Sequence, residues 1–378
     1  MHAPYGIFKP SPADAYRVGI LIKDTVLDLS FLGPEFAQSS LNQFIALGFD
    51  AWESTRLKIA KLISEKNPQL KYYPAKSCIL KLPVDIGDYT DFFTSEVHAT
   101  NLGKMFRPDM PPLTPQFKTM PTAYHGRASS VIVSGTKIKR PSGQILLNNQ
   151  TSPIYSPTQK LDIEVELGFI IGMGNNLGEP ISIKNAHKHI FGVVIVNDWS
   201  ARDIQRWEYV PLGPFLGKNF GTSISPWVMP MSALKDFWVD ADPQDPIPLD
   251  YLFENKFKLL DIKLEVLIKS KNMKNYVTIS NTNSRYLYWS PNQMVAHHTV
   301  NGCNLRTGDL LATGTISGPN ADQYGSLIEL SWNGKNAIKL NDQESRFFLE
   351  DGDSVIIRGR CEKSGMVLEL GEVEGTII

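Results

Sequence analysis

Short runs of alternating apolar and polar residues, separated by glycine and proline, constrain most of this chain to β-structure. The clearest runs cover residues 161–171, 257–268, 353–358 and 366–378. A period of two residues is typical of strands with one buried face. The 28 glycines and 25 prolines suit many strands joined by loops. The continuous apolar run at residues 190–196 predicts a buried strand. The fold class predicted is mainly β with some α.

One helix interrupts this pattern near the amino terminus. Apolar residues recur at helical spacing from about Ala51 to Glu65, which predicts a single amphipathic helix. Asp50 precedes this segment and Glu53 follows Asp50 by three residues, so we expect a capping box with Asp50 as the cap. Upstream, residues 18–29 contain two short apolar segments around a polar centre and predict a hairpin.

A change in composition after the helix indicates a domain boundary. Residues 66–69 are polar, and residues 72–83 contain proline and lysine without strong periodicity. We therefore predict an N-terminal domain over residues 1–84, which holds the amphipathic helix, and a larger domain over residues 85–378.

Charge and cysteine content exclude several classes of protein. The net charge of -1 gives no general attraction to nucleic acid or to an anionic membrane. No apolar stretch approaches the ~18 residues of a membrane span, and the first residues show no signal-peptide pattern. The three cysteines, Cys78, Cys303 and Cys361, are far apart and odd in number, which argues against a disulfide framework or a zinc site. We expect a cytoplasmic protein without a nucleic-acid or membrane partner.

The segment 161–167 places three acidic residues at alternate positions. In a regular strand Asp162, Glu164 and Glu166 would project from one face while their apolar neighbours face the core. Clustered carboxylates repel one another unless a cation or a base holds them. Oxygen ligands without a Cys or His cluster favour Mg²⁺ or Ca²⁺ over Zn²⁺. The alternative is a solvent-exposed acidic face on an edge strand.

A second group of polar residues follows the apolar run at 190–196. Asp198, Arg202, Gln205 and Tyr209 are spaced by four, three and four residues, so they would share one stripe if a helix started at Asp198. An acid, an arginine, an amide and a phenol are an unusual set for a core-facing surface. The stripe could equally be the polar outer face of a helix.

Two further segments contain candidate functional residues. Residues 211–222 are rich in Gly and Pro and end with Lys218 and Thr222, but they lack the order of a phosphate-binding loop. A lysine in such a loop is most often solvated. The segment from Asp91 to Arg107 contains His98, the one histidine that lies in an acid-rich segment of this kind. A lone histidine is more often structural than catalytic.

Read together, these segments resemble the fumarylacetoacetase family, and the similarity extends over essentially the whole chain. It is weakest before residue 84. The matching blocks occur in the order found in the family, at residues 88–92, 98–101, 105–107, 124–130, 197–205, 207–218, 300–306, 314–319 and 330–332. Long, ordered matches of this kind are far more specific than one short motif.

The resemblance implies a fold and a set of functional residues. The fold is a small SH3-like N-terminal barrel followed by a larger C-terminal β-roll that usually dimerises. The implied metal site consists of four carboxylates with a lysine and a threonine beside them: Asp91, Glu164, Glu166, Asp198, Lys218 and Thr222. His98 would be the general base, oriented by Glu329.

The remaining implied roles concern the substrate. Four residues would contact it: Arg107, Gln205, Tyr209 and Thr315. Arg202 would lie near the leaving group, and Lys218 would help to stabilise negative charge there. This chain has Phe93 where the family typically has a tyrosine, so a phenol that would hydrogen-bond the substrate is missing. Substrate affinity or preference could therefore differ from that of the family.

The activity implied is metal-dependent hydrolysis of a carbon–carbon bond in fumarylacetoacetate, the last step of tyrosine and phenylalanine breakdown. The cofactor would be Mg²⁺ and/or Ca²⁺, the partner a small diketo acid, and the assembly a homodimer. One alternative is a related acylpyruvate hydrolase or 2-oxo acid decarboxylase, although such relatives generally lack the N-terminal domain and part of the segment around His98. An alternative of another class is a non-catalytic metal-binding β module, which would leave the spacing of Arg202, Gln205 and Tyr209 unexplained.

Overall fold

The computed structural model describes residues 2–148 and 150–378 and has the mainly β fold with some helix that the sequence predicts. The strands are β1 (Tyr5–Lys9), β2 (Arg17–Ile22), β3 (Thr25–Asp28), β4 (Tyr72–Pro74), β5 (Ile79–Leu80), β6 (Tyr89–Phe92), β7 (Ala123–Gly126), β8 (Val131–Val133), β9 (Ser142–Ile145), β10 (Ile154–Pro157), β11 (Leu161–Asp162), β12 (Val165–Ile171), β13 (Ile190–Asp198), β14 (Ser200–Ala201), β15 (Thr222–Ile224), β16 (Trp227–Pro230), β17 (Trp238–Asp240), β18 (Lys258–Leu260), β19 (Lys263–Lys269), β20 (Val277–Asn283), β21 (Leu310–Ala312), β22 (Ile338–Lys339), β23 (Ser345–Arg346), β24 (Ser354–Lys363) and β25 (Met366–Thr376). The helices are α1 (Asn42–Ile45), α2 (Phe49–Ser64), α3 (Glu96–Phe106), α4 (Arg202–Glu208), α5 (Pro291–Thr299) and α6 (Leu327–Leu330).

The largest sheet contains both the N-terminal strands and the strands of the later part of the chain. Its main path runs β4-β3-β2-β1-β16-β13-β12-β21-β6-β7. The two parts meet where β1 pairs antiparallel with β16, through Tyr5 opposite Val228 and Gly6 opposite Trp227. A second sheet has the order β20-β19-β24-β25. The N-terminal region is therefore hydrogen-bonded to the larger region through one strand pair.

Side-chain packing joins the same two regions. The indole of Trp52 on α2 donates a hydrogen bond to the carbonyl of Ile45 (2.9 Å) and lies edge-on to Phe191 of β13, with 5.3 Å between ring centroids. Ile59 on the same helix is fully buried. The amphipathic helix is therefore confirmed, and its apolar face covers one side of the large sheet.

The sequence also predicts the hairpin and the buried strand, and both are confirmed. The hairpin is formed by β2 and β3, which pair antiparallel. The apolar run at 190–196 lies within β13, and every residue of that strand is buried.

Cys78, Cys303 and Cys361 are free thiols. Within residues 2–148 and 150–378, no helix combines the length and the apolar character needed to cross a membrane.

One local prediction is wrong, and the condition for a second does not hold. Helix α2 begins at Phe49 after Gly48, whose φ of 87° is the left-handed conformation that glycine adopts readily, and no side chain caps the helix. Asp50 is thus already inside the first turn and cannot be the cap. Asp198 does not start a helix, because β14 pairs with β11 and keeps the chain extended until α4 begins at Arg202.

Candidate metal centre and catalytic site

Four buried carboxylates meet in the large sheet, on three strands and one connection. Asp91 lies on β6, Glu166 on β12 and Asp198 at the end of β13, while Glu164 lies between β11 and β12. One carboxylate oxygen from each of the four falls within 4.8 Å of the others. We call these four residues the carboxylate cluster. Its geometry could hold a metal ion, and it includes both Glu164 and Glu166 of the acidic segment, which rules out an exposed acidic face.

Burial and mutual repulsion shift the pKa values of the carboxylate cluster in the metal-free fold. Burial, together with the neighbouring Asp198, raises the pKa of Asp91 to about 7. Burial and then the charge of Asp91 raise the pKa of Glu166 well above its ordinary value. Glu164 differs, because Lys218 and Arg202 outweigh the effect of burial and hold its pKa below the usual range. Raised pKa values at Asp91 and Glu166 favour the protonated carboxyls in the metal-free fold, and additional positive charge would favour their ionised forms.

Unpaired oxygen atoms identify where that charge would bind. Asp91 Oδ1 and Glu166 Oε1 are buried and have no hydrogen-bond partner among the described residues. Buried polar atoms without partners are rare and usually indicate an ion or a water. The four ligand atoms that come together here, among the residues that the structure describes, are carboxylate oxygens, which suit a hard cation such as Mg²⁺ or Ca²⁺. The residues present therefore fit a divalent cation of this class.

Lys218 and Thr222 complete the carboxylate cluster from the loop that precedes β15. Lys218 Nζ contacts both Glu164 and Asp198, with 2.6 Å to Asp198 Oδ2. The hydroxyl of Thr222 donates to Asp198 Oδ1 at 2.6 Å. Lys218 is only 7 % exposed, so it is not the solvated lysine that such a loop usually carries. Its ammonium supplies one of the positive charges that the carboxylates need.

His98 and Glu329 form a buried pair beside the carboxylate cluster. Ser95 caps α3 by accepting a hydrogen bond from the His98 backbone N–H, which puts His98 in the first turn. His98 Nδ1 lies 2.7 Å from Glu329 Oε2, and His98 Nε2 lies 3.9 Å from Glu164 Oε1. With Glu329 ionised, Nδ1 is the nitrogen that carries the proton and donates. Nε2 is left as a proton acceptor that faces the carboxylate cluster.

Three polar side chains hold Glu329 in place, and none of them was predicted from the sequence to have this role. The carboxylate accepts hydrogen bonds from Asn101 Nδ2 (2.9 Å), Ser317 Oγ (2.9 Å) and Ser326 Oγ (2.7 Å). Burial alone would raise its pKa, but His98 and these donors lower it below the ordinary value for a glutamate. Glu329 therefore stays ionised and can orient the imidazole. Asn101 is one turn after His98 on α3, which is the only sequence signal that could have indicated its role.

Asp162 does not join the carboxylate cluster, contrary to the prediction from strand alternation. The strand is interrupted between β11 and β12, so Asp162 turns towards Arg202, whose Nε donates to Asp162 Oδ2 at 2.7 Å. Asp162 also accepts the backbone N–H groups of Leu327 and Ile328 at 2.7 and 3.0 Å. Arg202 NH1 lies 2.7 Å from Glu164 Oε1. Asp162 thus anchors the arginine that faces the carboxylate cluster.

Replacing Asp162 with alanine should lower the free energy of unfolding by about 3–5 kcal/mol, because the buried guanidinium of Arg202 would lose one of its two carboxylate partners and keep only Glu164. Two backbone N–H groups of α6 would also lose their acceptor. Chemical denaturation of the metal-free protein measures the loss. Asp351→Ala is the control, since it removes a surface partner of Arg140 that is 65 % exposed, and should cost less than ~1 kcal/mol. Equal losses in the two variants would contradict a structural role for Asp162.

The other predicted residues differ in what they contact around the carboxylate cluster. Gln205 accepts a hydrogen bond from Arg202 Nη1 at 3.1 Å, and the buried hydroxyl of Thr315 has no hydrogen-bond partner within the described parts of the chain. Phe93 lies edge-on to His98, with 5.4 Å between ring centroids. Within the described ranges, neither Arg107 nor Tyr209 hydrogen-bonds to the carboxylate cluster. Arg202 thus contacts the carboxylate cluster directly through Glu164, whereas Gln205 contacts Arg202 and Phe93 contacts His98.

Tyr124 is a neighbour of the carboxylate cluster to which the sequence assigned no role. Its hydroxyl donates to Asp198 Oδ2 at 3.3 Å, from strand β7 at the edge of the sheet. A cavity of about 220 Å³ is lined by Tyr124, Asp198, Phe215, Lys218 and Thr222, among others. A small ligand could reach Asp198 and Lys218 through this cavity.

Comparison with protein families covers nearly the whole chain. Residues 89–378 match the family described as "Fumarylacetoacetate (FAA) hydrolase C-terminal", and residues 2–83 match "Fumarylacetoacetase N-terminal". The chain is 47% identical over 396 residues to the fumarylacetoacetase of Homo sapiens, covering 99% of this chain and 94% of that protein. The fumarylacetoacetase of Dictyostelium discoideum is also 47% identical, over 400 residues, with the same coverage.

Solved structures show the same fold at low sequence identity. A fumarylacetoacetate hydrolase from Exiguobacterium antarcticum has 16% identity and a TM-score of 0.59, with 99% of both chains covered. A maleylpyruvate hydrolase from Sphingobium sp. SYK-6, solved with manganese(II) and pyruvate, has 16% identity and a TM-score of 0.56, with 99% of this chain and 98% of that one covered.

Proposed function

The chain belongs to the fumarylacetoacetate hydrolase family, and from this premise we propose that it hydrolyses a carbon–carbon bond of fumarylacetoacetate, releasing fumarate and acetoacetate. Relatives named fumarylacetoacetase match it along nearly its full length, including the N-terminal region. The observation that supports the chemistry best is the His98–Glu329 pair facing the carboxylate cluster. This reaction would place the protein at the end of tyrosine and phenylalanine breakdown.

We propose that Asp91, Glu164, Glu166 and Asp198 hold Mg²⁺ or Ca²⁺, with Lys218 and Thr222 beside the ion. The all-carboxylate ligand set and the two unpaired oxygens support a hard divalent cation. A protein of the same fold solved with manganese(II) and pyruvate is consistent with divalent-metal chemistry. When bound, such a cation would polarise a substrate carbonyl as a Lewis acid.

His98 is the general base in this proposal. Its Nε2 takes a proton from the attacking water, while Glu329 keeps the proton on Nδ1 and stabilises the imidazolium that forms. The hydroxide equivalent adds to the carbonyl carbon that joins the fumaryl and acetoacetyl parts. Because Asn101, Ser317 and Ser326 fix Glu329, the ring of His98 cannot turn away from the carboxylate cluster.

Cleavage then separates the two products. The carbon–carbon bond breaks, its electron pair passes to the acetoacetate fragment as an enolate, and the proton held by His98 returns to that carbon. The enolate is negatively charged, so Arg202 and Lys218, which contact Glu164, would stabilise it together with the amide of Gln205, which contacts Arg202. Arg107, Tyr209 and Thr315 are proposed to bind the remaining polar groups of the substrate.

Phe93 favours a second candidate within the same reaction class. Its ring lies against both His98 and Phe117, with 5.4 and 6.1 Å between centroids, and so presents an apolar edge beside the base. A shorter acylpyruvate would have fewer polar groups to satisfy there than fumarylacetoacetate. A non-catalytic metal module is disfavoured, because it would have no use for the buried His98–Glu329 pair.

Turnover of fumarylacetoacetate by the purified protein tests the proposal. Loss of the substrate's ultraviolet absorbance would be followed with chelator alone and then after adding Mg²⁺ or Ca²⁺. Metal-dependent loss with fumarate as a product is the expected result. Absence of turnover in a folded, metal-loaded protein would reject fumarylacetoacetate as the substrate, and acylpyruvates would be assayed next.

We also propose that the protein is a cytoplasmic homodimer, as the family resemblance implies. Light scattering after size-exclusion chromatography should give twice the mass of the 378-residue chain. A mass equal to one chain at micromolar concentration would contradict the dimer.

Stabilisation by Mg²⁺ should increase as the pH rises from 5.5 to 8. Asp91 has a pKa of about 7 in the metal-free fold and an ordinary value of 3.8, so its protonated form favours the fold at low pH and this contribution is lost as the pH rises through 7. A cation needs the ionised carboxylates and would restore stability there. Melting temperatures with saturating Mg²⁺ and with chelator, compared at both pH values, give the increment. An increment that does not grow with pH would contradict this assignment.

A further inference from the structure

We propose that Glu208 is a positioning residue that fixes the loop carrying Lys218, a role that rests on the proposed function of Lys218. Glu208 is the last residue of α4, and its carboxylate accepts three successive backbone N–H groups. Phe215 N and Gly217 N donate to Oε1 at 2.7 and 2.8 Å, and Leu216 N donates to Oε2 at 2.9 Å. Three charge-assisted hydrogen bonds to one carboxylate are a strong and directional anchor.

The anchored segment lies directly against α4. The carbonyl of Gly217 accepts a hydrogen bond from Ala201 N at 2.8 Å. A Cβ added to Gly217 would lie 2.8 to 2.9 Å from Cβ and backbone atoms of Gln205, so only glycine fits this contact. Lys218 N then donates to the Phe215 carbonyl at 3.1 Å, which closes a tight turn. Glu208 therefore helps to fix the backbone position from which the Lys218 side chain projects.

Apolar burial does not anchor this loop. The side chains of Leu212, Phe215 and Leu216 are 93, 64 and 46 % exposed. Hydrophobic side chains that remain in solvent contribute little to fixing a backbone. Polar contacts must therefore hold the segment, and Glu208 supplies three of them.

The position of Lys218 matters because its ammonium lies between two members of the carboxylate cluster. It contacts Glu164 and lies 2.6 Å from Asp198 Oδ2 while remaining almost fully buried. If the loop loosened, the ammonium could move out to water, where a lysine is well hydrated. The charge that stabilises the enolate would then be absent when the bond breaks, although every catalytic side chain would still be present.

Glu208→Gln and Glu208→Ala test this role. The amide keeps one acceptor oxygen and should lower kcat about tenfold, whereas alanine keeps none and should lower it about 100-fold, the scale expected when a catalytic group is misplaced by about 1 Å. KM should change less than kcat. Glu372→Ala, which removes a half-exposed partner of Arg358, is the matched control and should keep kcat within twofold of the wild type. Unchanged kcat in folded Glu208→Ala would overturn the proposal.

A double-mutant cycle with Lys218→Met distinguishes positioning from general destabilisation. If Glu208 acts through Lys218, then Glu208→Ala should cause no further loss of kcat in the Lys218→Met background. Losses that multiply would overturn the proposal. Thermal unfolding accompanies each variant, and Glu208→Gln serves if the alanine variant does not fold.

Calorimetric titration with Mg²⁺ keeps the test independent of the substrate. The ammonium of Lys218 repels a cation bound in the carboxylate cluster. Lys218→Met removes this repulsion and should therefore bind Mg²⁺ more tightly than the wild type. Glu208→Ala should shift the affinity in the same direction. An unaltered affinity in Glu208→Ala, beside a clear shift in Lys218→Met, would overturn the role of Glu208 even if the wild type hydrolyses no fumarylacetoacetate. If fumarylacetoacetate is not the substrate but Glu208 does position Lys218, both variants should still show the change in Mg²⁺ affinity.

Discussion

Replacing His98 with alanine should lower kcat for fumarylacetoacetate hydrolysis by about 10²–10⁴-fold, or roughly 3–5 kcal/mol in the barrier. The reason is geometric. Nε2 is the only proton acceptor of the His98–Glu329 pair that faces the carboxylate cluster, at 3.9 Å from Glu164 Oε1. Without the imidazole, water must lose its proton without a positioned base. Steady-state kinetics with saturating Mg²⁺ measures the change.

Two further variants separate the chemistry of His98 from its structural contribution. His98→Gln retains an amide that can donate to Glu329, so it should fold like the wild type and still lose activity. His297→Ala is the matched control, since His297 contacts Tyr251 (Nδ1 to OH, 3.0 Å) and not the carboxylate cluster. It should leave kcat nearly unchanged. Near-full activity in folded His98→Ala would show that another group is the base.

Replacing Glu166 with glutamine should weaken Mg²⁺ binding by at least about 100-fold, because loss of an outer-shell partner alone costs 10–100-fold. Isothermal titration calorimetry gives the affinity directly. Glu254→Gln is the control, because Glu254 is a partly buried carboxylate whose pKa is also raised, first by burial, but its oxygens accept hydrogen bonds from Ser290 and Asn292. Its variant should bind Mg²⁺ as the wild type does. Unchanged affinity in Glu166→Gln would remove Glu166 from the ligand set.

In the metal-free protein, Glu166→Gln should preserve or increase stability, although it weakens metal binding. Glu166 is completely buried beside other carboxylates, and one of its oxygens has no partner. A neutral amide relieves the repulsion, so the free energy of unfolding in chelator should stay equal or rise by about 1–2 kcal/mol. Weaker Mg²⁺ binding together with a higher free energy of unfolding in chelator would show that the Glu166 carboxylate serves the ion and not the fold. A clear loss of apo stability would contradict this.

Much of the fold could be predicted from local pattern. Alternation and continuous apolar runs identify β2, β3 and β13, and helical spacing identifies α2, because one buried face imposes a period on the sequence. The errors lie where tertiary contacts override that period. The segment at 161–171 is interrupted between β11 and β12, since Asp162 is drawn to Arg202 and to the N–H groups of α6.

The candidate site was less accessible from the sequence. The acidic segment indicated two members of the carboxylate cluster, but a spacing rule could not bring Asp91 to them, because its strand is separated from β12 by β21, which comes from far later in the chain. His98 and Glu329 are 231 positions apart, and the family resemblance, not periodicity, paired them. Ser317 and Ser326 carry no local signal for supporting a carboxylate, and Asn101 is indicated only by its position one turn after His98.

The order of strands around the carboxylate cluster has a consequence for folding kinetics. Asp91 on β6 reaches the strands that carry Glu166 and Asp198 only after β21 has inserted between β12 and β6, and β21 pairs parallel with β6. Such non-local pairings form slowly and late. A cation that needs all four carboxylates would find no site in the folding transition state, so it would leave the refolding rate nearly unchanged and slow unfolding instead. Bound metal would then lengthen the lifetime of the native state, and its release would precede the opening of the sheet.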